Sequence, residues 1–520
     1  MSFNESQSQD IEGATTAIQS QPDSKTRRYD RQLRLWAATG QSALESARVL
    51  VIGASATATS ILKNLVLPGI GHFTLLDHAT VSPADAGNNF FLQGTTSIGR
   101  NRAEEAVRLL SELNDNVDAC ADTRNIADVL ASDPSYFLGF SLIITHNLSP
   151  VLLTRLADLL WENPSSTPLI PVRSAGFLAD FFVQFHTHEI IESHSETSPS
   201  LRIDKPFPAL LQAARALDFD TMDSTDHGHI PYVYLLVRTL DDWKATHNGL
   251  PPQTHADKQN FKSILAAQKR TPDQENFEEA IAQAYRAWTP TVVRPHLVEL
   301  FNDVTLPSTP FGHLLAALRS FSERPPHVLP LSATLPDMKS DTESYVRLQN
   351  LYRAQAAEER EQFRALLPVP LENELVELFV KNAHGVQLLR GARYGALDTA
   401  PAKLIMYLDN LTRETATHLA LSALDAWRSS PSRQNGGPTD SELREHVLTL
   451  IPGTELGKKE FSDAFGEIVR APAADLPNVA AFLGGMVAQE SIKMITKQYI
   501  PINGYCVVDL VDTWTGVLES

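Results

Sequence analysis

Short apolar runs alternate with helical stretches over residues 48–185 of this chain. The runs VLVIG, FTLLD, LIIT and PLIPVR are predicted strands. Between them, apolar residues recur at helical spacing up to Leu67, from near Ile98, and over 152–160. Apolar strands joined by crossover helices form parallel sheets with helices on both faces. We therefore predict an α/β fold with a doubly wound, mostly parallel sheet.

The pattern changes after about Ser193, where amphipathic helices such as QENFEEAIAQAYRAW and SYVRLQNLYRAQAAEEREQFRALL replace the strands. Joints rich in Pro and Ser divide this region: SHSETSPS, RPPHVLPL and SSPSRQNGGPTDSE, the last a predicted exposed loop. The helix AAFLGGMVAQESIKMITK and the strand YCVVDLV return near the end. We predict a disordered polar tail over 1–28, a sheet domain built from 29–190 and 479–520, and a large, mainly helical insertion over 191–478.

The turn after the first predicted strand, in VLVIGASATATSIL, begins like a phosphate-binding loop. Gly53 ends the strand, but Ser55 and Ala58 stand where the second and third glycines of G-x-G-x-x-G belong. The second glycine lets the backbone approach a phosphate and the third lets the helix pack on the strand, so side chains here fill the space that a phosphate needs. The favoured interpretation of this turn is a strand followed by a capped helix start.

Two glycines in the last predicted helix have a structural explanation. Gly484 and Gly485 lie side by side in LGGMVAQE. They could mark a phosphate site, but close packing of the helix explains them equally well, because glycine lets another backbone approach. We favour packing.

Charge and composition exclude several classes of partner. The chain has 520 residues, of which 43% are hydrophobic, so it can bury a large core. Its formal net charge of -18 argues against nucleic acids and anionic membranes as partners. No apolar run reaches the length of about eighteen residues that a membrane span requires. With only two cysteines and no signal-peptide pattern, we expect a cytoplasmic or nuclear protein.

The candidate metal ligands and the candidate nucleophiles are better explained by structural roles. Asp226, His227 and His229 form DHGH, but no further ligand is spaced to complete a metal site, so a loop or capping role is favoured. Cys120 falls in a short predicted strand and Cys506 in YCVVDLV, where a small buried apolar residue is expected. Neither cysteine is a predicted nucleophile.

Several blocks, in their order along the chain, carry a family resemblance: YDRQLRLW, VLVIG, LKNLVLPGIGHFTLLD, DAGNNFFLQ and SIGRNRAE. They resemble the adenylation domains of the activating enzymes for ubiquitin-like proteins. Those enzymes combine two Rossmann-like halves, one that binds ATP and one that does not. The degenerate loop at Gly53, Ser55 and Ala58 is similar to that of the inactive half. The resemblance therefore implies a pseudo-adenylation domain that binds no cofactor.

The ATP-binding halves of this family carry the pattern D-x-D-x-x-x-x-S-N-L-N-R-Q-F, which aligns with DHATVSPADAGNNF. Asp77 and Phe90 are retained, but Ala79 replaces the second acid and Asn88 replaces the arginine. The resemblance implies two lost nucleotide contacts, one of them charge-assisted and about twice as strong as a neutral hydrogen bond. Arg102 stands in place of a lysine. It keeps the positive charge, but its planar guanidinium differs in geometry from an ammonium group. The region of the magnesium-binding aspartate is THNLSP, so no metal is expected here.

Later segments narrow the resemblance to the regulatory subunits of heterodimeric neddylation-activating enzymes: DKPFPAL, DHGHIPYVYLLVRTLDDW, LPDM and AAFLGGMVAQESIKMITKQ. This implies a catalytic partner subunit that binds ATP and magnesium, adenylates a Nedd/Rub ubiquitin-like protein and carries the thioester cysteine. A conjugating enzyme is a further candidate partner. In related enzymes the arginine of the YDRQ-R-LW block reaches the partner's nucleotide site, and Arg31 has that position here.

Three alternatives stay open at this point. A regulatory subunit of a sumoylation-activating enzyme has the same fold but lacks so long a helical insertion. An autonomous adenylating homodimer conflicts with Ser55 and Asn88. A scaffold protein without a catalytic contribution would use Arg31 only to anchor an amphipathic helix, on which Arg31 and Arg34 share a solvated face.

Overall fold

Two compact units make up the described part of the chain. The computed structural model describes residues 24–163, 167–193, 200–303, 309–430 and 437–519. Residues 24–190 and 388–519 form a sheet unit, and the described residues between 191 and 387 form a helical unit. Residues 1–23 of the predicted tail, most of SHSETSPS and the centre of SSPSRQNGGPTDSE lie outside the described residues.

The strands of the described residues form two sheets. They are β1 (Arg48–Ile52), β2 (His72–Leu76), β3 (Asp118–Asp122), β4 (Leu142–His146), β5 (Leu169–Ala175), β6 (Leu178–Phe182), β7 (Thr187–Ile190), β8 (Gln387–Arg390), β9 (Gly504–Asp509) and β10 (Trp514–Glu519). An eight-stranded sheet has the order β10-β9-β6-β5-β4-β1-β2-β3, and β7 pairs with β8. Strands β3, β2, β1, β4 and β5 are parallel, whereas β6, β9 and β10 are antiparallel to their neighbours. The predicted mostly parallel sheet is confirmed.

The α-helices follow in chain order. In the first part they are α1 (Ser24–Ser46), α2 (Ala56–Val66), α3 (Pro83–Asn88), α4 (Arg102–Ser111), α5 (Ile126–Ser132) and α6 (Pro150–Trp161). In the helical unit they are α7 (Pro208–Ala216), α8 (Ser224–Gly228), α9 (Tyr232–Thr246), α10 (His255–Ala267), α11 (Glu275–Gln283), α12 (Pro295–Phe301), α13 (Pro310–Ser322), α14 (Thr342–Arg364) and α15 (Asn373–Asn382). The last part has α16 (Pro401–Asn410), α17 (Thr412–Ser429), α18 (Asp440–Leu450), α19 (Lys459–Arg470) and α20 (Pro477–Thr496). Among the described residues, no helix is both long and apolar enough to cross a membrane.

Both faces of the sheet are covered, as the apolar strands predicted. Val49 and Val51 of β1 pack in one core with residues of α2 and α20. Leu50 and Ile52, which point the other way along the same strand, pack in another core with residues of α5 and α6. The alternation follows from the two-residue period of a strand.

The helical insertion is shorter than predicted. Helices α16 to α19 pack their apolar side chains against Leu178, Phe182 and Val507 of the sheet, so 388–478 belong to the sheet unit. The predicted range 191–478 was too long because an amphipathic helix has the same pattern whether it covers a sheet or another helix. The tail prediction is also wrong for residues 24–28, which are helical. There Lys25 pairs with Glu45 at 2.7 Å.

Candidate functional site

The loop between β1 and α2 begins with a glycine in a left-handed backbone conformation. Gly53 has a φ of +92°, a conformation that favours glycine. Its N–H donates to the Leu76 carbonyl (3.0 Å), and the next N–H, of Ala54, donates to Asp77 Oδ2 (2.7 Å). Ala58 is fully buried one turn into α2. The turn therefore has the shape that the sequence predicted, while its first donors already have partners.

Ser55 occupies the start of α2 with its own hydroxyl. It is the N-cap residue, and its Oγ accepts from the Ala58 N–H at 3.1 Å. The same Oγ lies 2.7 Å from His146 Nδ1, and His146 Nε2 lies 2.8 Å from Ser174 Oγ. Burial lowers the pKa of His146, and the nearby Arg428 and Arg102 add to this effect against the opposing charge of Asp475. At the position of the second glycine, the Ser55 side chain thus caps α2 and contacts a neutral imidazole.

Asp475 places a carboxylate at the same helix start. Its Oδ1 accepts from Thr57 Oγ1 at 2.6 Å, and its Oδ2 accepts from the Thr57 N–H at 3.3 Å. The N-terminus of a helix favours an anion because its free N–H groups and the helix dipole both face it. Here that anion is part of the chain itself. The sequence analysis missed Asp475, since it lies 418 residues from Thr57 along the chain.

The residues that replace the nucleotide contacts lie around Asp77. Asp77 Oδ1 accepts from the Ala79 N–H at 2.9 Å, so the position of the lost acid supplies only backbone. The Arg102 guanidinium contacts Asp77 Oδ2 (2.7 Å) and Asp85 Oδ1 (3.0 Å). Burial alone would lower the pKa of Arg102, but the two carboxylates raise it. Arg102 is therefore a neutralised cation with both of its acidic partners in this chain.

Asn88 contacts the segment that carries Asp475. Its Nδ2 donates to the Asp475 carbonyl at 2.8 Å, and its Oδ1 has no hydrogen-bond partner among the described residues. An amide thus ties α3 to the segment before α20, where the family pattern has a cation. The structure brings together all five predicted loop residues: Gly53, Ser55, Ala58, Ala79 and Asn88. The N–H groups of Ala54, Thr57 and Ala58 all donate to groups of this chain.

Arg31 is separate from this loop. It lies on α1, is exposed, and makes no hydrogen bond or ion pair with any described residue. Arg34, one turn along, pairs with Asp30 at 3.1 Å. Helix α1 is interrupted at Trp36 and Ala37, where Ala37 has a φ of 54°. The predicted site residues therefore form two groups: the loop, and a single unpaired guanidinium at the surface.

An apolar surface lies beside Arg31. Leu35 is 55% exposed and Ile500 is 53% exposed. Tyr499 connects the two, because its hydroxyl donates to the Leu35 carbonyl at 3.2 Å. We call Leu35, Tyr499 and Ile500 the α1 patch. Sequence periodicity does not show it, since α1 and the segment after α20 meet only in the folded chain.

The two cysteines differ in exposure. Cys506 in β9 is buried, and burial raises its pKa to about 12, so it is a poor nucleophile. Cys120 lies in β3 as predicted but is exposed, because β3 is an edge strand of the sheet. The DHGH residues lie in and after α8, where His227 stacks on Phe277. No metal-binding group of three or more ligands is found among the described residues.

Comparisons with known proteins agree across both units. The ThiF family model matches residues 29–147. The NEDD8-activating enzyme E1 regulatory subunit of Xenopus laevis is 36% identical over 513 residues, which cover 92% of this chain and 96% of that protein. The protein of the same description in Gallus gallus is 35% identical over 520 residues, covering 92% and 95%. The NEDD8-activating enzyme E1 regulatory subunit AXL of Arabidopsis thaliana is 31% identical over 517 residues, covering 93% and 97%.

Proposed function

This chain belongs to the family of NEDD8-activating enzyme E1 regulatory subunits, and from this we propose that it pairs with a catalytic subunit to activate NEDD8. ATP and magnesium bind in the catalytic subunit, which forms the acyl-adenylate and the thioester. The chain itself binds no nucleotide and makes its partner competent. The assembled heterodimer is also the species to test for contact with a conjugating enzyme.

The observation that carries this proposal is the filled loop. Ser55 Oγ takes the Ala58 N–H, and the Asp475 carboxylate takes the N–H and hydroxyl of Thr57. A triphosphate placed here would meet the negative charge of Asp475 at close range. It would also lose the cation that Asn88 replaces. These arguments disfavour an adenylating homodimer.

Arg31 is the residue that we propose assists catalysis in the partner subunit. Its guanidinium is exposed and unpaired within the described chain, and it lies beside the α1 patch. Adenylation develops negative charge on the departing pyrophosphate. A guanidinium already held in a dry interface stabilises such charge more than it would in water. We propose that the α1 patch contacts the catalytic subunit and that Arg31 reaches its nucleotide site.

ATP–pyrophosphate exchange tests the division of labour. With NEDD8 present, the purified chain alone should show no exchange, and mixing it with the catalytic subunit should produce exchange. Both measurements use the same chain preparation, so an inactive sample is detected in the mixed reaction. Exchange by this chain alone would contradict the proposal and favour the homodimer.

Arg31→Ala tests the role of the guanidinium within the complex. We expect the rate at saturating ATP and NEDD8 to fall by about a hundredfold, the usual effect of removing one preformed charge-stabilising donor. Gel filtration should show an intact heterodimer. Arg34→Ala removes an equal charge one turn away and serves as the control. Equal rates for the Arg31 and Arg34 variants would favour the scaffold alternative.

A further inference from the structure

A cavity in the helical unit has the size of a small-molecule site. Its volume is about 340 Å³, and its walls come from residues 200–204, 285–286, 289–292, 294 and 329–332 together with His384. Cavities that hold small ligands begin at roughly 300 Å³. The cavity belongs to the unit that lacks the loop described above. Its lining residues are all among those that the structure describes.

Two arginines of this cavity have no carboxylate partner among the described residues. Arg294 lines it, is half-buried, and makes no hydrogen bond or ion pair with a described residue. Arg286 donates through Nε to Gln283 Oε1 at 2.8 Å, and no described carboxylate pairs with it. A third lining arginine, Arg202, shows the contrast, since Glu359 holds it with two contacts of 2.6 and 2.7 Å. Half-buried arginines usually have such partners, because an unpaired charge away from water is costly.

A buried hydroxyl without a partner lines the same cavity. Ser332 is 6% exposed, and its Oγ forms no hydrogen bond with any described residue. His384 adds a ring whose pKa is lowered by burial and then by the charge of Arg294. A buried polar group without a partner costs free energy, which a ligand that bonds to it can recover.

The acidic group in the cavity wall is already engaged. Asp204 accepts from the Thr291 N–H at 2.6 Å and from the Thr291 hydroxyl through its other oxygen. Its negative charge offsets one of the two arginines. The free donors of the cavity are therefore guanidinium and hydroxyl groups, which together suit an oxygen-rich anion.

We propose that this cavity binds a small molecule with a phosphate or carboxylate group, held by Arg286 and Arg294 and by a hydrogen bond from Ser332. Nothing in this proposal depends on the function proposed above, and the two can fail separately. Phosphate and carboxylate share the same recognition chemistry. A titration with one probe of each kind distinguishes them.

The test is calorimetric titration of the full-length chain with inorganic phosphate and, separately, with citrate, at constant ionic strength in chloride. We expect saturable binding of at least one anion. Arg294→Gln should weaken it by about tenfold or more, the value of one charge-assisted contact. Binding of phosphate alone would indicate a phosphorylated ligand, and binding of citrate alone a carboxylate.

Matched variants separate the cavity from the general charge of the protein. Arg347→Gln removes the same charge from the exposed face of α14, where Arg347 pairs with Glu343, and should leave binding unchanged. Ser332→Ala and Arg286→Gln should each weaken binding, and they serve as the test if Arg294→Gln does not fold. Absence of saturable binding by either anion would overturn the proposal. An equal loss in Arg347→Gln would also overturn it.

Discussion

Asp475 is the residue with the clearest individual role in the site. Its carboxylate bonds to both the N–H and the hydroxyl of Thr57, and its carbonyl accepts from Asn88. A single residue thus bonds to the first turn of α2 and holds α3 to the segment before α20. Together with Ser55 it accepts from the N–H groups in the first turn of α2. Its removal should therefore cost stability.

We expect Asp475→Ala to lower the free energy of unfolding by about 1–2 kcal/mol, because Thr57 loses a charged hydrogen-bond partner at the helix start. Urea unfolding followed by circular dichroism measures it. Asp463→Ala removes an acid from an exposed ion pair with Lys459 and should cost less than about 0.5 kcal/mol. Equal midpoints for the two variants would show that the hydrogen bonds from Thr57 to Asp475 do not stabilise the chain.

At this scale, sequence reasoning identified the residues whose spacing is local. Ser55 and Ala58 were found because glycine positions in the loop are three residues apart, and Ala79 and Asn88 because the family pattern aligns with this stretch position by position. Asp475 could not be found in this way, because it reaches the loop only through the folded chain. The pairing of Arg102 with Asp77 and Asp85 was missed for the same reason: a charge is visible in a sequence, but its partners are not.

Helix α20, near the end of the chain, shares a core with α2, near its beginning. It packs closely along α2, and a Cβ added to Gly484 would lie 2.3 Å from Ser60 Oγ. A Cβ on Gly485 would meet no atom within 4 Å. The prediction that these glycines allow packing is thus confirmed for Gly484, whereas Gly485 makes no such contact.

The two glycines form a matched pair of tests. We expect Gly484→Ala to destabilise the chain by roughly 1–3 kcal/mol, because the added methyl overpacks the contact between α2 and α20. Gly485→Ala should instead stabilise it by about 0.5–1 kcal/mol, since alanine is the better helix former. Thermal and urea unfolding of both variants measure the difference. A stabilised Gly484→Ala would mean that the helices can separate without loss.

Elements with a strong apolar pattern were predicted well. Elements were predicted poorly where their place in the fold depends on what they pack against. The run VLVIG and the helix from 480 to 497 are apolar enough to be identified alone. Strand β10 was missed because its residues alternate between exposed and partly buried positions at the sheet edge. Helices α16 to α19 were assigned to the insertion because their pattern does not show what they cover.

At the scale of the whole molecule, a buried charge network connects β5, β6 and the helices that cover them. Asp180 accepts from Arg173, and the His418 ring lies between Asp180 and Asp398, with both N–O distances 2.9 Å. Burial alone would lower the pKa of His418, but the two carboxylates raise it above its usual value. The folded chain therefore holds a proton on His418 that the unfolded chain releases near pH 6.5.

This network predicts how stability changes with pH. A histidine with a raised pKa stabilises the fold fully below about pH 6.5, and this contribution is lost as the pH rises through its folded-state pKa. Buried histidines with a lowered pKa, such as His188 at about 4, act in the opposite direction and only below about pH 6.5. We therefore expect the urea midpoint of the chain to fall above pH 6.5.

The variant His418→Gln should lose this decline, even though it lowers the midpoint overall. His255→Gln changes an exposed histidine at the start of α10 and should keep the wild-type pH dependence. Urea titrations at intervals from pH 6 to pH 9 provide the measurement. A decline of equal slope in His418→Gln would assign the pH dependence to other groups.

The strand order has a consequence for the synthesis of this protein. Strand β6 lies between β5 and β9, and β9 begins about 320 residues after β6 ends. A ribosome therefore makes the entire helical unit while one side of β6 has no neighbour. Until β9 arrives, the nascent chain exposes a strand edge that can join another polypeptide. In this interval the growing chain is open to edge-to-edge association.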